Sequence, residues 1–198
     1  KGRVWLAMSG GGLNRFDPAT QTFSKHLAKP LDLAITALAA DAAGNLWLGT
    51  AGDGVLRWNP DTNAVSRPLP RDERGLGTSP ITAITVSSSG LVWVGNDGEG
   101  VIAFDPASGK STRYRTTATD PGTISDDHIT SLYEDRNKNL WIGTTSGLNR
   151  LDPKGRLVRY QHDPNDPTSL SFNGVESIYQ DTGGVMWIGG FTIGIHCP

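Results

Sequence analysis

The sequence repeats itself around tryptophan at a nearly constant interval. Five tryptophans stand in one local frame, at spacings of 42, 46, 48 and 46 residues: Trp5, Trp47, Trp93, Trp141 and Trp187. A large apolar residue lies on either side of each, and Gly or Ala follows two residues on. A fixed period of this length predicts a fold assembled from small equivalent units.

A second element stands twelve residues before each of the last four tryptophans. It is apolar with a small residue in third place, and it begins at Ile35, Ile81, Ile129 and Val175. The turn that follows opens with an acid or a hydroxyl side chain, at Asp41, Ser87, Asp135 and Asp181. Three residues later comes Gly, or in one repeat Lys138, where we expect strain. Such side chains bond turn N–H groups and Gly accepts a positive φ, so each pair is predicted to form a tight hairpin.

Two further strands complete each period. The third follows a Gly and ends at Asp-Pro or Asn-Pro. The fourth, expected over residues 64–69 in the second repeat, is polar and rich in Lys and Arg, as suits a solvated edge. Four antiparallel strands per 40–50 residues are typical of a β-propeller blade. We therefore predict an all-β fold without long helices, with the tryptophans packing between blades and with Trp47, Trp93 and Trp141 buried in equivalent places. A β-sandwich is the weaker alternative, because it needs no fixed register across periods.

The repeats set the domain organisation. They run over residues 1–30 (partial), 31–76, 77–124, 125–170 and 171–198 (partial), which is one propeller segment of about four to five blades. The first repeat enters in its second strand and the last stops in its third. We expect a part of a larger propeller, which alone stays open or completes itself by association, for example as a homodimer.

Charge and composition exclude several classes of binding partner and cofactor. The 198 residues carry 18 Lys+Arg against 20 Asp+Glu, a net charge of −2, without a basic run. This argues against nucleic acid or an anionic membrane as the main partner. Cys197 is alone, so it forms neither an intramolecular disulfide nor a cysteine metal site. The four histidines lack metal-ligand spacing, so we expect no metal and no cofactor.

Candidate binding residues follow by elimination. In a propeller the loops between second and third strands share one face with the connections between blades, and that face usually binds ligands. The repeated acids belong to turns, so recognition falls to polar residues that break the repeat. These are Asp53, Asp97, Glu99, Arg71, Arg74 and His128. We predict that they bind a small molecule, a glycan or a protein, and we predict no catalytic residue.

Two segments resemble a known family. ITSLYEDRNKNLWIGTTSGLNRLDP (residues 129–153) and HDPNDPTSLSFNGVESIYQD (residues 162–181) are similar to two-component regulator propeller repeats. The resemblance implies the extracytoplasmic sensor region of a bacterial hybrid histidine kinase or membrane diguanylate cyclase. It further implies a periplasmic, non-catalytic module that meets the membrane only through a segment outside this chain. Departures are Ala7 for Gly, Ser87 for Asp, and a degenerate last repeat after Gly194.

Two other functions stay open. Streptogramin-lyase-type propellers have a similar Gly-x-Leu-Trp strand, but they need a metal-assisted His and Glu pair that this sequence does not display. A protein-docking propeller scaffold is the other alternative.

Overall fold

The computed structural model describes residues 4–8, 12–26, 33–69, 76, 79–190 and 195–196, the last two as backbone alone. All regular elements in these ranges are β-strands, arranged in five antiparallel sheets. None of the described residues therefore belongs to a helix that could cross a membrane. The chain divides into two compact units, residues 1–81 and 82–198.

The first unit contains two sheets, the first and second blades. The first blade consists of β1 (Val4–Met8), β2 (Gly12–Asp17) and β3 (Thr22–His26). The second consists of β4 (Ile35–Ala40), β5 (Leu46–Thr50), β6 (Val55–Trp58) and β7 (Val65–Ser66). Strand order in each sheet follows the sequence. The fourth strand of the second blade, expected over residues 64–69, is limited to two residues.

The second unit contains the third, fourth and fifth blades. The third consists of β8 (Ile81–Val86, whose first residue belongs to the first unit), β9 (Val92–Asn96), β10 (Gly100–Phe104) and β11 (Ser111–Tyr114). The fourth consists of β12 (Ile129–Glu134), β13 (Leu140–Thr144), β14 (Gly147–Leu151) and β15 (Leu157–Tyr160). The fifth consists of β16 (Val175–Gln180), β17 (Met186–Gly190) and β18 (Ile195–His196). The predicted four-stranded antiparallel blades are confirmed.

The glycine two residues after Trp47, Trp93 and Trp141 marks a close approach between blades. A Cβ on Gly143 would lie 2.8 Å from Cγ1 of Val175, the first residue of the next blade. Gly95 stands in the same relation to Ile129. Within the first unit, a Cβ on Gly49 would lie 2.5 Å from Cγ2 of Ile81. The repeat keeps Gly here because an apolar side chain packs directly onto bare backbone.

A threonine in the first strand adds a hydrogen bond at the same place. Thr36 Oγ1 donates to the carbonyl oxygen of Ile81 at 2.6 Å, and Thr130 Oγ1 donates to that of Val175. Each threonine lies where the register with the second strand shifts by one residue. The threonine at the register shift thus donates a hydrogen bond to the first residue of the following repeat.

The tryptophans are not equally buried. Trp47 and Trp93 are 1% and 7% exposed, Trp141 is half-buried, and Trp187 is 41% exposed. The expectation that Trp47, Trp93 and Trp141 are buried alike is wrong for Trp141. The repeat fixes the position of the ring in its own blade, whereas burial depends on the elements that cover that blade.

Candidate functional site

Two loops and one blade connection of the second unit meet at one edge of the third and fourth blades. Asp97, which opens the β9–β10 loop, forms an antiparallel bridge with His128, the residue before β12. Gly100 N donates to the carbonyl oxygen of Asp127 at 2.9 Å. The β13–β14 loop joins them, because Thr145 N donates to the carbonyl oxygen of His128 at 3.3 Å. The structure therefore brings Asp97 and His128 together, as their positions in the repeat suggest.

His128 is held by an acid that the sequence argument missed. Its Nδ1 lies 2.9 Å from Asp126 Oδ1, which also accepts from the backbone N–H of His128 at 2.9 Å. The other carboxylate oxygen, Asp126 Oδ2, accepts from Ser146 Oγ at 2.6 Å and from Thr145 Oγ1 at 2.7 Å. Asp97 Oδ1 lies 3.8 Å from His128 Nε2. Asp126 orients the imidazole so that its second nitrogen faces Asp97.

These contacts shift two pKa values. Partial burial acts to raise the pKa of Asp126, but hydrogen bonds from Ser146, the His128 N–H and Thr145 outweigh it and hold that pKa far below its usual range. The hydrogen bond to Asp126 raises the pKa of His128, and the charges of Asp126 and Asp97 add to the effect. The site thus favours an imidazolium beside two carboxylates.

Glu99, also in the β9–β10 loop, is part of a chain of ion pairs. Its Oε2 lies 2.6 Å from Arg113 Nη1 and 3.5 Å from Arg115 Nη2. Arg115 Nε in turn lies 3.3 Å from Asp127 Oδ2. Asp127 Oδ1 accepts from Thr116 N at 2.7 Å. Glu99 therefore fastens its loop to the end of β11, which makes it a support of the site.

Asp97 and His128 line an open groove of about 640 Å³. The other polar side chains around it come from three different strands and one loop: Thr82, Thr130, Thr145, Glu176 and Ser177. Hydroxyl groups, two carboxylates and an imidazole together offer both donors and acceptors of hydrogen bonds. The groove suits a polar ligand with several hydroxyl, amide or amine groups.

The next repeat shows a signal by which Asp126 could have been found. Asp127 and Asn173, 46 residues apart, accept from Thr116 N and His162 N in the same way, both at 2.7 Å. Around that shared anchor, Asp126 and His128 correspond to Phe172 and Gly174. Asp126 and His128 therefore both break the repeat, one on each side of the anchor Asp127. Only His128 is among the predicted site residues.

The other predicted site residues are Asp53, Arg71 and Arg74. Asp53 belongs to the first unit, in the β5–β6 loop, where its N–H donates to Thr50 Oγ1 at 2.8 Å. Arg71 and Arg74 lie outside the described residues. Across the described part of the chain, His, Cys, Asp and Glu side chains form no group of three or more that could hold a metal ion.

Comparison with protein families identifies the repeat. Residues 30–52, 123–146 and 169–192 match the family model described as two component regulator propeller. These segments contain the ends of the blade connections and the hairpins that lead to Trp47, Trp141 and Trp187. Among curated proteins, none is significantly similar to this chain.

Solved structures share the fold at low sequence identity. The extracellular domain of a proposed one-component system from B. thetaiotaomicron superposes with a TM-score of 0.78 at 20% identity, over 99% of this chain and 26% of that one. The extracellular domain of a proposed hybrid two-component system from the same organism gives 0.66 at 18% identity, over 98% and 31%. A catalytically inactive virginiamycin B lyase from Staphylococcus aureus, solved with quinupristin, gives 0.71 at 13% identity, over 99% and 66%. The chain spans less than a third of the first two.

Proposed function

Because the chain carries repeats of the two-component regulator propeller family, we propose that it is the ligand-sensing module of a bacterial signalling receptor, on the periplasmic side of the membrane. The extracellular domains of two such systems share its fold, which supports this setting. The module binds and does not catalyse. Its output domain and its link to the membrane belong to segments outside this chain.

We place the sensing site at the groove beside Asp97 and His128. The observation that carries this assignment is the Asp126–His128 pair. The hydroxyl groups of Ser146 and Thr145 hold the Asp126 carboxylate at 2.6 and 2.7 Å, and that carboxylate lies 2.9 Å from His128 Nδ1 while His128 Nε2 faces Asp97 in the groove. Blade packing does not require the pair, since the next repeat has Phe172 and Gly174 there. Side chains fixed by a hydrogen-bond network and exposed beside a groove are suited to recognition.

The ligand of this groove is a polar small molecule, a glycan or a polar protein segment. Asp97 and Glu176 are exposed acids that accept hydrogen bonds, and protonated His128 donates one. That Asp53, Arg71 and Arg74 bind ligand stays a prediction. Glu99 acts through Arg113 and Arg115, by holding the β9–β10 loop.

A lyase is the second candidate. The fold likeness to virginiamycin B lyase favours it, although at 13% identity the likeness concerns the fold alone. A lyase would consume its ligand, whereas a sensor would bind it unchanged.

A binding screen tests the proposal. The purified chain is screened for thermal stabilisation by neutral, amino and acidic oligosaccharides and by amino acids, and hits are measured by calorimetry. Wild type and the matched control Lys154→Gln, which removes a charge from the β14–β15 turn, should bind the same hit. Asp97→Asn with His128→Ala should lose that binding and keep its melting temperature. Unchanged binding in the double variant would refute the site, and turnover of the hit would favour the lyase.

A further inference from the structure

In the second blade, tryptophan lies between an acid and an arginine. Trp47 Nε1 donates to Asp41 Oδ2 at 3.3 Å, and the guanidinium carbon of Arg57 lies 5.5 Å from the indole centroid. Arg57 Nη2 also reaches Asp41 Oδ2 at 3.2 Å. Arg57 stands directly opposite Trp47 on the neighbouring strand, so the position of the arginine follows from the register.

The fourth blade repeats this arrangement. Trp141 Nε1 donates to Asp135 Oδ2 at 2.8 Å, and the guanidinium carbon of Arg150 lies 5.9 Å from the indole centroid. Arg150 again stands opposite the tryptophan across the strand pair. The face of this repeated tryptophan is therefore a place that accepts a guanidinium.

In the third blade both charged side chains are replaced by small ones. Ala103 stands opposite Trp93, where the sibling blades have arginine, and Ser87 occupies the position of the aspartate. Ser87 Oγ pairs with Ser89 Oγ at 2.8 Å and donates to the carbonyl oxygen of Leu91 at 3.1 Å. A cleft of about 490 Å³ opens here, and Ser87, Trp93 and Ala103 all line it.

The walls of the cleft suit an alkyl chain that ends in a cation. Leu91, Leu140 and Leu151 provide apolar contact beside Trp93 and Tyr114. Three carboxylates and two ammonium groups stand around the opening, Asp105, Glu134 and Asp152 with Lys110 and Lys138, and Arg156 Nε pairs with Asp152 at 3.3 Å. Hydrogen bonds to Ser108 and Ala107 lower the pKa of Asp105, and bonds from the N–H groups of Arg156 and Lys154 lower that of Asp152, so both stay ionised at neutral pH.

We propose that this cleft of the third blade is a binding site for an alkylguanidinium group, such as the side chain of an arginine in a peptide or small molecule. The guanidinium lies over Trp93 as Arg57 and Arg150 lie over their tryptophans, and the methylene chain packs on the leucines. The cleft is bounded by turns between first and second and between third and fourth strands, at the opposite end of the strands from the Asp97–His128 groove. It is therefore a second site, independent of the proposed sensing groove.

Titration of the purified chain with three probes tests the proposal. Agmatine presents a guanidinium on an alkyl chain whose other end is an ammonium group, Gly-Arg-Gly presents the guanidinium in a peptide, and Gly-citrulline-Gly is the neutral isostere of that peptide. Calorimetry and the indole N–H resonance of Trp93 report binding. Both guanidinium probes should shift that resonance, and the citrulline peptide should bind about tenfold more weakly, because cation–π attraction acts only on the charge.

Variants locate the site. Ala103→Arg should occupy it with the chain's own guanidinium and weaken binding of both probes at least about tenfold. Ala103→Gln, shorter and without the charge, should also obstruct it and serves if the arginine variant misfolds. Asp61→Asn, which removes a charge from the exposed β6–β7 turn, should bind the probes like wild type. Equal binding of the arginine and citrulline peptides, no shift of the Trp93 resonance at millimolar agmatine, or wild-type affinity in a folded Ala103 variant would each overturn the proposal.

Discussion

Trp141 donates its indole N–H to Asp135 Oδ2 across 2.8 Å, and this bond ties the tryptophan to the turn six residues before it. Asp135 Oδ1 also accepts from Asn139 N at 2.8 Å, so one carboxylate closes both the turn and the strand. The same indole bond recurs between Asp41 and Trp47 and between Asp181 and Trp187. The repeated acid therefore has a packing role in addition to its role in the turn.

Loss of this carboxylate should destabilise the fourth blade. We expect Asp135→Ala to lower the free energy of unfolding by about 1–3 kcal/mol, because Trp141 Nε1 and Asn139 N lose their acceptor. Ser87→Ala is the matched control at the equivalent turn and should cost clearly less, since no indole bond depends on Ser87. Urea denaturation of both variants measures the difference. Equal losses would show that the indole bond adds nothing to the turn.

The same carboxylate should make stability sensitive to acid. Burial acts to raise the pKa of Asp135, but bonds from Asn139 and Trp141 outweigh it, so the folded-state pKa lies below the ordinary value of 3.8. A lowered folded-state pKa contributes stability that is fully present above 3.8 and is lost as pH falls through the folded pKa. We expect Asp135→Asn to flatten the decline of the unfolding free energy below about pH 4. An unchanged acid slope in denaturant titrations would contradict this account.

His128 should titrate above its ordinary value. Asp126 raises the pKa of His128 from 6.5, so the pairing favours the folded state below 6.5 and loses its effect as pH rises through the folded-state pKa. NMR titration of the ring protons should place the midpoint above 6.5, and Asp126→Asn should move it back. The half-buried His26, whose pKa burial and Arg15 lower, gives an internal comparison in the same spectra. A midpoint unaffected by Asp126→Asn would show that Asp126 does not raise the pKa of His128.

Two glycines three residues apart should respond differently to alanine. We expect Gly49→Ala to cost about 1–3 kcal/mol, because its Cβ would lie 2.5 Å from Ile81 Cγ2 and 3.2 Å from Ala37 Cβ. Gly52→Ala introduces a methyl group with nothing within 4 Å and should stay within about 0.5 kcal/mol of wild type. Thermal and urea denaturation measure both. Similar costs would mean that Ile81 moves away and that Gly49 is not needed for packing.

The strands could be predicted from sequence because each period repeats the same local chemistry. The constant offset of twelve located β4, β8, β12 and β16 at their first residues, and Asp-Pro marked the ends of β2, β10 and β14 closely. Lys138 adopts the positive φ of 64° expected at its turn, and its N–H bonds the carbonyl oxygen of Asp135 at 2.9 Å, as the glycines of the other turns do. Local rules succeeded where the interactions are local.

Contacts between residues far apart in sequence were harder to predict. Asp126 lies two residues from His128 in sequence, but Thr145 and Ser146 hold its carboxylate from 19 and 20 residues away. Likewise, the half-buried Glu99 forms its ion pair with Arg113 across 14 residues. A residue's polarity can be read from sequence, whereas its pairing depends on which loops the fold brings together.

Asn96 departs from the repeat at a buried position, and restoring the repeat should stabilise the protein. The second and fourth blades have threonine there, and Thr50 Oγ1 and Thr144 Oγ1 donate to the carbonyl oxygens of Gly54 at 2.8 Å and Gly147 at 2.9 Å. Asn96 is 0% exposed, and within the described part of the chain neither its Oδ1 nor its Nδ2 has a hydrogen-bond partner. Two buried polar atoms without hydrogen bonds lower the free energy of unfolding. A threonine, whose side chain is similar in size to that of asparagine, would avoid this cost because its hydroxyl group finds an acceptor.

We expect Asn96→Thr to raise the free energy of unfolding by about 1–2 kcal/mol, through removal of the unsatisfied amide and a new bond to the carbonyl oxygen of Gly100. The reciprocal change Thr144→Asn should lower it by a similar amount, because it places the same amide where a satisfied hydroxyl stands. Urea denaturation of the two variants against wild type measures both signs. If Asn96→Thr destabilises the chain while Thr144→Asn does so as well, then the asparagine has partners of its own and the departure from the repeat is a stabilising one.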